Sequence, residues 1–95
     1  MSVILPLRLR TLQYLGQCQG QALTPAEIHA ALRSEYEGEG QFTLPKMKWH
    51  LLCIKAVGLI EGLDPFWDDE QEPSYRYRIT EAGRRNLAYL DKPEV

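Results

Sequence analysis

The sequence predicts an α+β fold, mainly helical, in one domain: three helices, a two-stranded β-hairpin and a closing helix. Three observations predict it. Thr24-Pro25-Ala26-Glu27 is a helix start with its capping residues in place, Leu44, Met47, Leu51 and Ile54 recur at helical spacing before Gly58, and Tyr75-Arg76-Tyr77-Arg78-Ile79 alternates with the period of a half-buried strand. The 95 residues, 44% of them hydrophobic, suit a single domain over 1–95 with its core at about 6–90.

Each element follows from local chemistry. Pro6 fits a first helical turn, where its missing N–H costs nothing, and Leu5, Leu9, Leu12 and Leu15 then share a face, so a first helix is expected from Pro6 to Gln17. Gly16, Gly20 and the polar run 17–21 stop it, and Leu23 forms a short extended link. Thr24 caps the second helix, with Pro25 at its first position and Glu27 completing a capping box; Ile28, Ala31, Leu32 and Tyr36 make its apolar face before 37–40 end it. Thr43 or Leu44 opens a third helix over 44–57, with Pro45 in its first turn and Gly58 as a left-handed C-terminal cap. Lys46, Trp49, His50 and Cys53 fall off its apolar seam, with Lys48 at the margin.

Beyond Gly58, Leu59-Ile60-Glu61 reads as a short strand pairing with residues 75–79. The segment between them, 62–74, contains Pro65 and Pro73 and reads as a long loop mobile at its tip. Thr80 caps a last helix from Glu81 to Leu90, with Leu87 and Leu90 inward. This order is that of a winged helix-turn-helix.

At Leu51-x-x-Ile54-x-x-x-Gly58-Leu59-Ile60-Glu61 and Tyr77-x-Ile79-Thr80-x-x-Gly83 the sequence resembles the PadR and MarR-like winged-helix transcription regulators. The resemblance covers roughly residues 7–90. It implies that Met47, Leu51 and Ile54 form the buried seam of a recognition helix and that Lys46, Lys48, Trp49 and His50 face the major groove of double-stranded DNA. Arg76 and Arg78, on the wet side of the returning strand, would reach the backbone from the stem of the wing, and Arg84 and Arg85 would extend the basic area if the last helix turns that way.

Charge complicates that expectation. The net charge is −2, and Asp64, Asp68, Asp69, Glu70 and Glu72 lie together with no basic residue among 62–75; with those five set aside, 11 basic residues face 8 acidic ones. A wing of this family presents Arg or Lys, whereas this one would repel phosphate. Phe66 and Trp67 amid the acids either pack on the core or, with Asp68 and Asp69, dock a protein partner. The main expectation is therefore a transcription regulator reading duplex DNA through the helix at 44–57, as a homodimer joined by Val3-Ile4-Leu5 and the apolar last helix. The alternative is a protein-interaction module that uses the acidic, aromatic wing and does not touch DNA. A continuous positive strip through Lys46, Lys48, Arg76 and Arg78 would favour DNA; a strip broken by Glu35, Glu37 or Glu39 would favour the partner.

Other classes are expected to be absent. Cys18 and Cys53 lie in helical patterns and read as free thiols, and His50 with Cys53, even joined by His29 and Cys18, lacks the spacing of a zinc site, so no metal or cofactor is expected. No motif of catalysis occurs. With no apolar run long enough for a bilayer and no leader pattern, the expected location is the cytoplasm.

Overall fold

A computed structural model of the chain describes residues 6–40 and 42–90, together with the backbone but not the side chain of Leu90. Four helices and one antiparallel hairpin follow in the order α1 (Leu7–Gln17), α2 (Pro25–Leu32), α3 (Leu44–Ala56), β1 (Ile60–Trp67), β2 (Pro73–Ile79) and α4 (Glu81–Leu90). The architecture is α+β and mainly helical, and no helix among the described residues is long and apolar enough to cross a membrane.

Pro6 stands just outside α1, where its carbonyl accepts from the Arg10 amide at 3.0 Å. Thr11 is fully buried in α1 beside Leu12 and Leu15; its hydroxyl is satisfied by the Leu7 carbonyl at 2.8 Å, a back-bond that lets a polar residue sit in an apolar seam. Leu23 forms more than a link: its N–H donates to the Tyr77 carbonyl at 2.9 Å and its carbonyl accepts from the Tyr77 N–H at 2.7 Å, which pins the segment before α2 to the free edge of β2.

The capping box of α2 is complete, with the Glu27 amide on Thr24 Oγ1 at 3.2 Å and the Thr24 amide on Glu27 Oε1 at 2.9 Å. The helix tightens into a 3₁₀ turn at Arg33–Glu35 instead of running on to Tyr36. Ile28, Leu32 and Tyr36 are buried, but Ala31 is exposed, a correction to its expected core position; its small side chain leaves little to gain by facing inward. In α3 the seam Met47, Leu51 and Ile54 is buried as the periodicity required. Gly58 closes that helix at φ +81: its amide reaches the Lys55 carbonyl at 2.9 Å and the Leu59 amide reaches the Ile54 carbonyl at 3.3 Å, the paired bonds of a Schellman cap.

The hairpin is longer than the sequence suggested. Ile60 pairs with Ile79, Glu61 with Arg78, Gly62 with Tyr77 and Leu63 with Arg76; the ladder then skips and resumes with Phe66 opposite Ser74 and Trp67 opposite Pro73. Asp64, at φ +50, and Pro65 thus bulge against Tyr75 alone. Of the residues that read as loop, 62–74, Asp64 and Pro65 are the bulge, where a residue without an N–H is tolerated, and 62, 63, 66, 67, 73 and 74 belong to the strands. The connection shrinks to 68–72. Thr80 opens α4, accepting from the Gly83 amide at 3.1 Å while its own hydroxyl donates to the Gly58 carbonyl at 2.7 Å, so one side chain joins the end of α3 to the start of α4.

The buried apolar residues form one cluster drawn from every element before α4, and Leu87 packs against it from that helix. Each fully buried Leu or Ile in it contributes about 1.5–3 kcal/mol over an exposed one. Cys18 and Cys53 are free and half-buried.

Candidate interaction surface of the third helix and the hairpin tip

Two surfaces meet beside α3. Its seam faces the core, so positions 46, 49, 52, 56 and 57 project outward. Of these Trp49 is 60% exposed, Leu52 48% and Val57 69%. Trp49 does not pack under α2, and the outward face is apolar with one ammonium, that of Lys46, which forms no ion pair among the described residues.

Lys48 leaves this face. The hairpin carries residues 68–72 over the N-terminal turns of α2 and α3, and Asp68 shapes the tip: Oδ1 accepts from the amides of Glu70 (2.9 Å) and Glu72 (3.0 Å), while its own amide donates to the Glu72 carbonyl at 2.9 Å. The tip is therefore a hydrogen-bonded turn at 68–72, shorter than the 62–74 loop the sequence suggested. With Oδ1 engaged, Oδ2 meets Lys48 Nζ at 2.7 Å, and carboxylates of Glu70 and Glu72 lie 3.6 and 3.8 Å from the same ammonium. The contact with Asp68 holds the Lys48 pKa above its ordinary value; Lys48 and the amides of Glu72 and Glu70 hold the Asp68 carboxyl below its own.

Three of the other expected DNA contacts, Arg76, Arg78 and His50, are also engaged. Arg78 Nε donates to Glu61 Oε1 at 2.5 Å across the ladder, and Arg76 lies 3.8 Å from Glu27. His50 Nδ1 accepts from Arg8 Nε at 3.1 Å, so the ring is neutral with its proton on Nε2; burial first, then the charges of Arg8 and Lys46, lower its pKa. The strip through Lys46, Lys48, Arg76 and Arg78 is thus interrupted by acids at three of its four members, the outcome named above as favouring a protein partner. The interrupting acids are Glu27, Glu61, Asp68, Glu70 and Glu72. Glu35, one of the three acids named as able to break the strip, grips Arg10 at 2.8 and 3.1 Å.

Phe66 and Trp67 lie at the end of β1 and not in a free loop, Phe66 half-buried and Trp67 72% exposed. Together with Pro25, Ala26 and Leu44 they line a groove of about 350 Å³. Those last three residues were read in the sequence only as parts of helices, and Leu52 and Val57 were not singled out; Leu52 and Val57 could have been found by asking which side of α3 stays apolar after its seam is filled. Asp69 is exposed at the tip. Arg84 and Arg85 are exposed on α4, as are Ala88 and Tyr89. Val3, Ile4 and Leu5, assigned to a dimer contact, and the side chain of Leu90, assigned to the core, lie outside the described residues. Among the described residues no group of three or more His, Cys, Asp or Glu is placed to hold a metal ion.

No protein-family model, curated protein or solved structure matches this chain.

Proposed function

We propose that this chain is a winged-helix interaction module that docks a protein partner on the hairpin tip and the outward face of α3. One observation carries the reading: Lys48, at the margin of the helix that would enter DNA, is already bound by Asp68 with Glu70 and Glu72 beside it. A phosphate approaching Lys48 would have to displace the Asp68 carboxylate that the hairpin fixes in place. The neighbouring surface supports a protein as ligand, since Trp49 and Trp67 are exposed and tryptophan is the residue type that most often anchors a protein interface.

Binding to duplex DNA through α3 is the second reading. It is favoured by the resemblance carried by Gly58-Leu59-Ile60 and Thr80-x-x-Gly83, and by Lys46, which has no ion pair among the described residues, lying on the same face as the exposed Trp49. Salt dependence separates the two. Neutralising phosphates releases counterions, so duplex affinity falls by orders of magnitude as salt rises from roughly 50 to 200 mM. The module is expected to show no such affinity, and a photo-crosslinking residue in place of Trp67 is expected to trap a protein in cells that make the chain. Duplex binding that weakens steeply with salt, together with no trapped protein, would establish the second reading instead.

A further inference from the structure

The tip that holds Lys48 also roofs a groove. Pro25 and Ala26 from the first turn of α2 and Leu44 from the first turn of α3 form its apolar floor, and Phe66 and Trp67 close it from the hairpin. At about 350 Å³ it is near the lower end of ligand-pocket volumes, roughly 300–1,000 Å³, enough for one or two side chains and not for a folded element. Its mouth has a definite sign. Asp68, Asp69 and Glu70 line it with a single ammonium, that of Lys48; Asp68, Glu70 and Glu72 lie within 4 Å of that ammonium, and Asp69 forms no ion pair among the described residues.

We propose that the groove takes an extended protein segment in which an apolar side chain sits next to an arginine or lysine. This rests on the interaction-module reading and names the chemistry of the partner. The apolar side chain displaces water from Pro25, Ala26, Leu44 and Phe66, while the neighbouring cation meets Asp69 and the carboxylates of Glu70 and Glu72 that Lys48 only partly neutralises. A polyanion is disfavoured at the same mouth by the carboxylates of Asp68, Asp69 and Glu70, with Glu72 beside them. The exposed Trp67 is suited to close over the segment, because a rigid indole with two side-chain torsions adds contact area at small entropic cost.

The chain has two tryptophans, so W49F leaves Trp67 as the only reporter of the groove. Its fluorescence is to be titrated with a short blocked peptide alternating arginine with leucine and phenylalanine. Two companion peptides carry glutamate for arginine, or serine for leucine and phenylalanine. The first peptide is expected to give a saturable change, and both companions to bind at least about tenfold more weakly. Adding D69N and E70Q, both at exposed positions, should weaken the first peptide by roughly tenfold, as loss of two solvent-exposed charge contacts implies, while urea melts confirm an unchanged fold. Equal responses to all three peptides, indifference to D69N/E70Q, or no saturable response to any of them would overturn the proposal. Should crosslinking at position 67 still trap a protein after such a result, the module reading would stand and only the partner chemistry assigned to the groove would fall.

Discussion

Replacing Gly83 by alanine tests the packing on which the hairpin and both surfaces rest. A methyl at this position would lie 2.1 Å from the Leu59 carbonyl oxygen and 2.6 Å from Ile79 Cγ1. Carbon and oxygen in contact need about 3.3 Å or more, so the start of α4 would have to retreat by about 1 Å. That end is tied down: the Thr80 amide bonds the Leu59 carbonyl at 3.1 Å and the Thr80 hydroxyl bonds the Gly58 carbonyl at 2.7 Å. Alanine gains about 1 kcal/mol over glycine in a helix. Against this stand overpacking at about 1–3 kcal/mol and about 1 kcal/mol for each of the two bonds that a retreat would stretch. The net loss is about 2–4 kcal/mol, read as a lowered urea midpoint or a fall of roughly 8–30 °C in Tm for a domain of this size. G40A is the control, since nothing lies within 4 Å of its added methyl, and it should change stability by no more than about 0.5 kcal/mol. A G83A protein as stable as the G40A protein would refute the close approach of α4 to Leu59.

Gly58 offers the complementary case: its added methyl would meet nothing, but φ is +81, so G58A should cost about 1–2 kcal/mol from backbone strain alone in the same urea assay. T24A removes half of the capping box and should lower stability by about 1 kcal/mol, with T24S near wild type. The folded state favours the neutral ring of His50, so the stability this residue contributes is present above the ordinary histidine range and lost as pH falls through its lowered pKa. Urea midpoints taken between about pH 8 and about pH 5 should fall with pH, and less steeply in H50Q. Asp68 titrates below the usual carboxylate range, so its contact with Lys48 is expected to survive acidification to about pH 4, near where an ordinary aspartate loses its charge. Carboxyl chemical shifts of Asp68 would check this, and an ordinary titration midpoint would refute the grip.

What the sequence revealed was chemistry between near neighbours. Thr24 and Glu27 are three residues apart, Gly58 follows directly on its helix, and Met47, Leu51 and Ile54 repeat on one turn length, so each signal lies in a short window. The outer half of β1 was hidden because Gly62, Asp64 and Pro65 break the alternation by which a strand is recognised, and the bulge that absorbs two of them depends on a partner strand. The cations of α3 and β2 were legible as residues but not as contacts. Lys48 and Asp68 stand twenty positions apart, and only the register of the hairpin brings the tip above the helix. Glu61 opposite Arg78 shows the same dependence: once Ile60 is set against Ile79 the pair is forced, but nothing in either strand alone sets that register. Trp49 projects as its place on the helix required, yet whether α2 would cover it was decided by tertiary packing.

The bulge at Asp64 and Pro65 also shapes what the outer edge of β1 offers to another strand. β2 has β1 on one side and Leu23 on the other, whereas β1 has a strand partner only in β2 among the described residues. A strand arriving at the outer edge of β1 would need an unbroken row of donors and acceptors. It would meet a peptide turned aside by φ +50 at Asp64, then a residue with no N–H to offer, and a carboxylate at that same step. The irregularity that hid the strand from sequence reading therefore guards its edge against runaway strand addition, leaving the exposed tryptophan beyond it to be met by side chains and not by another sheet.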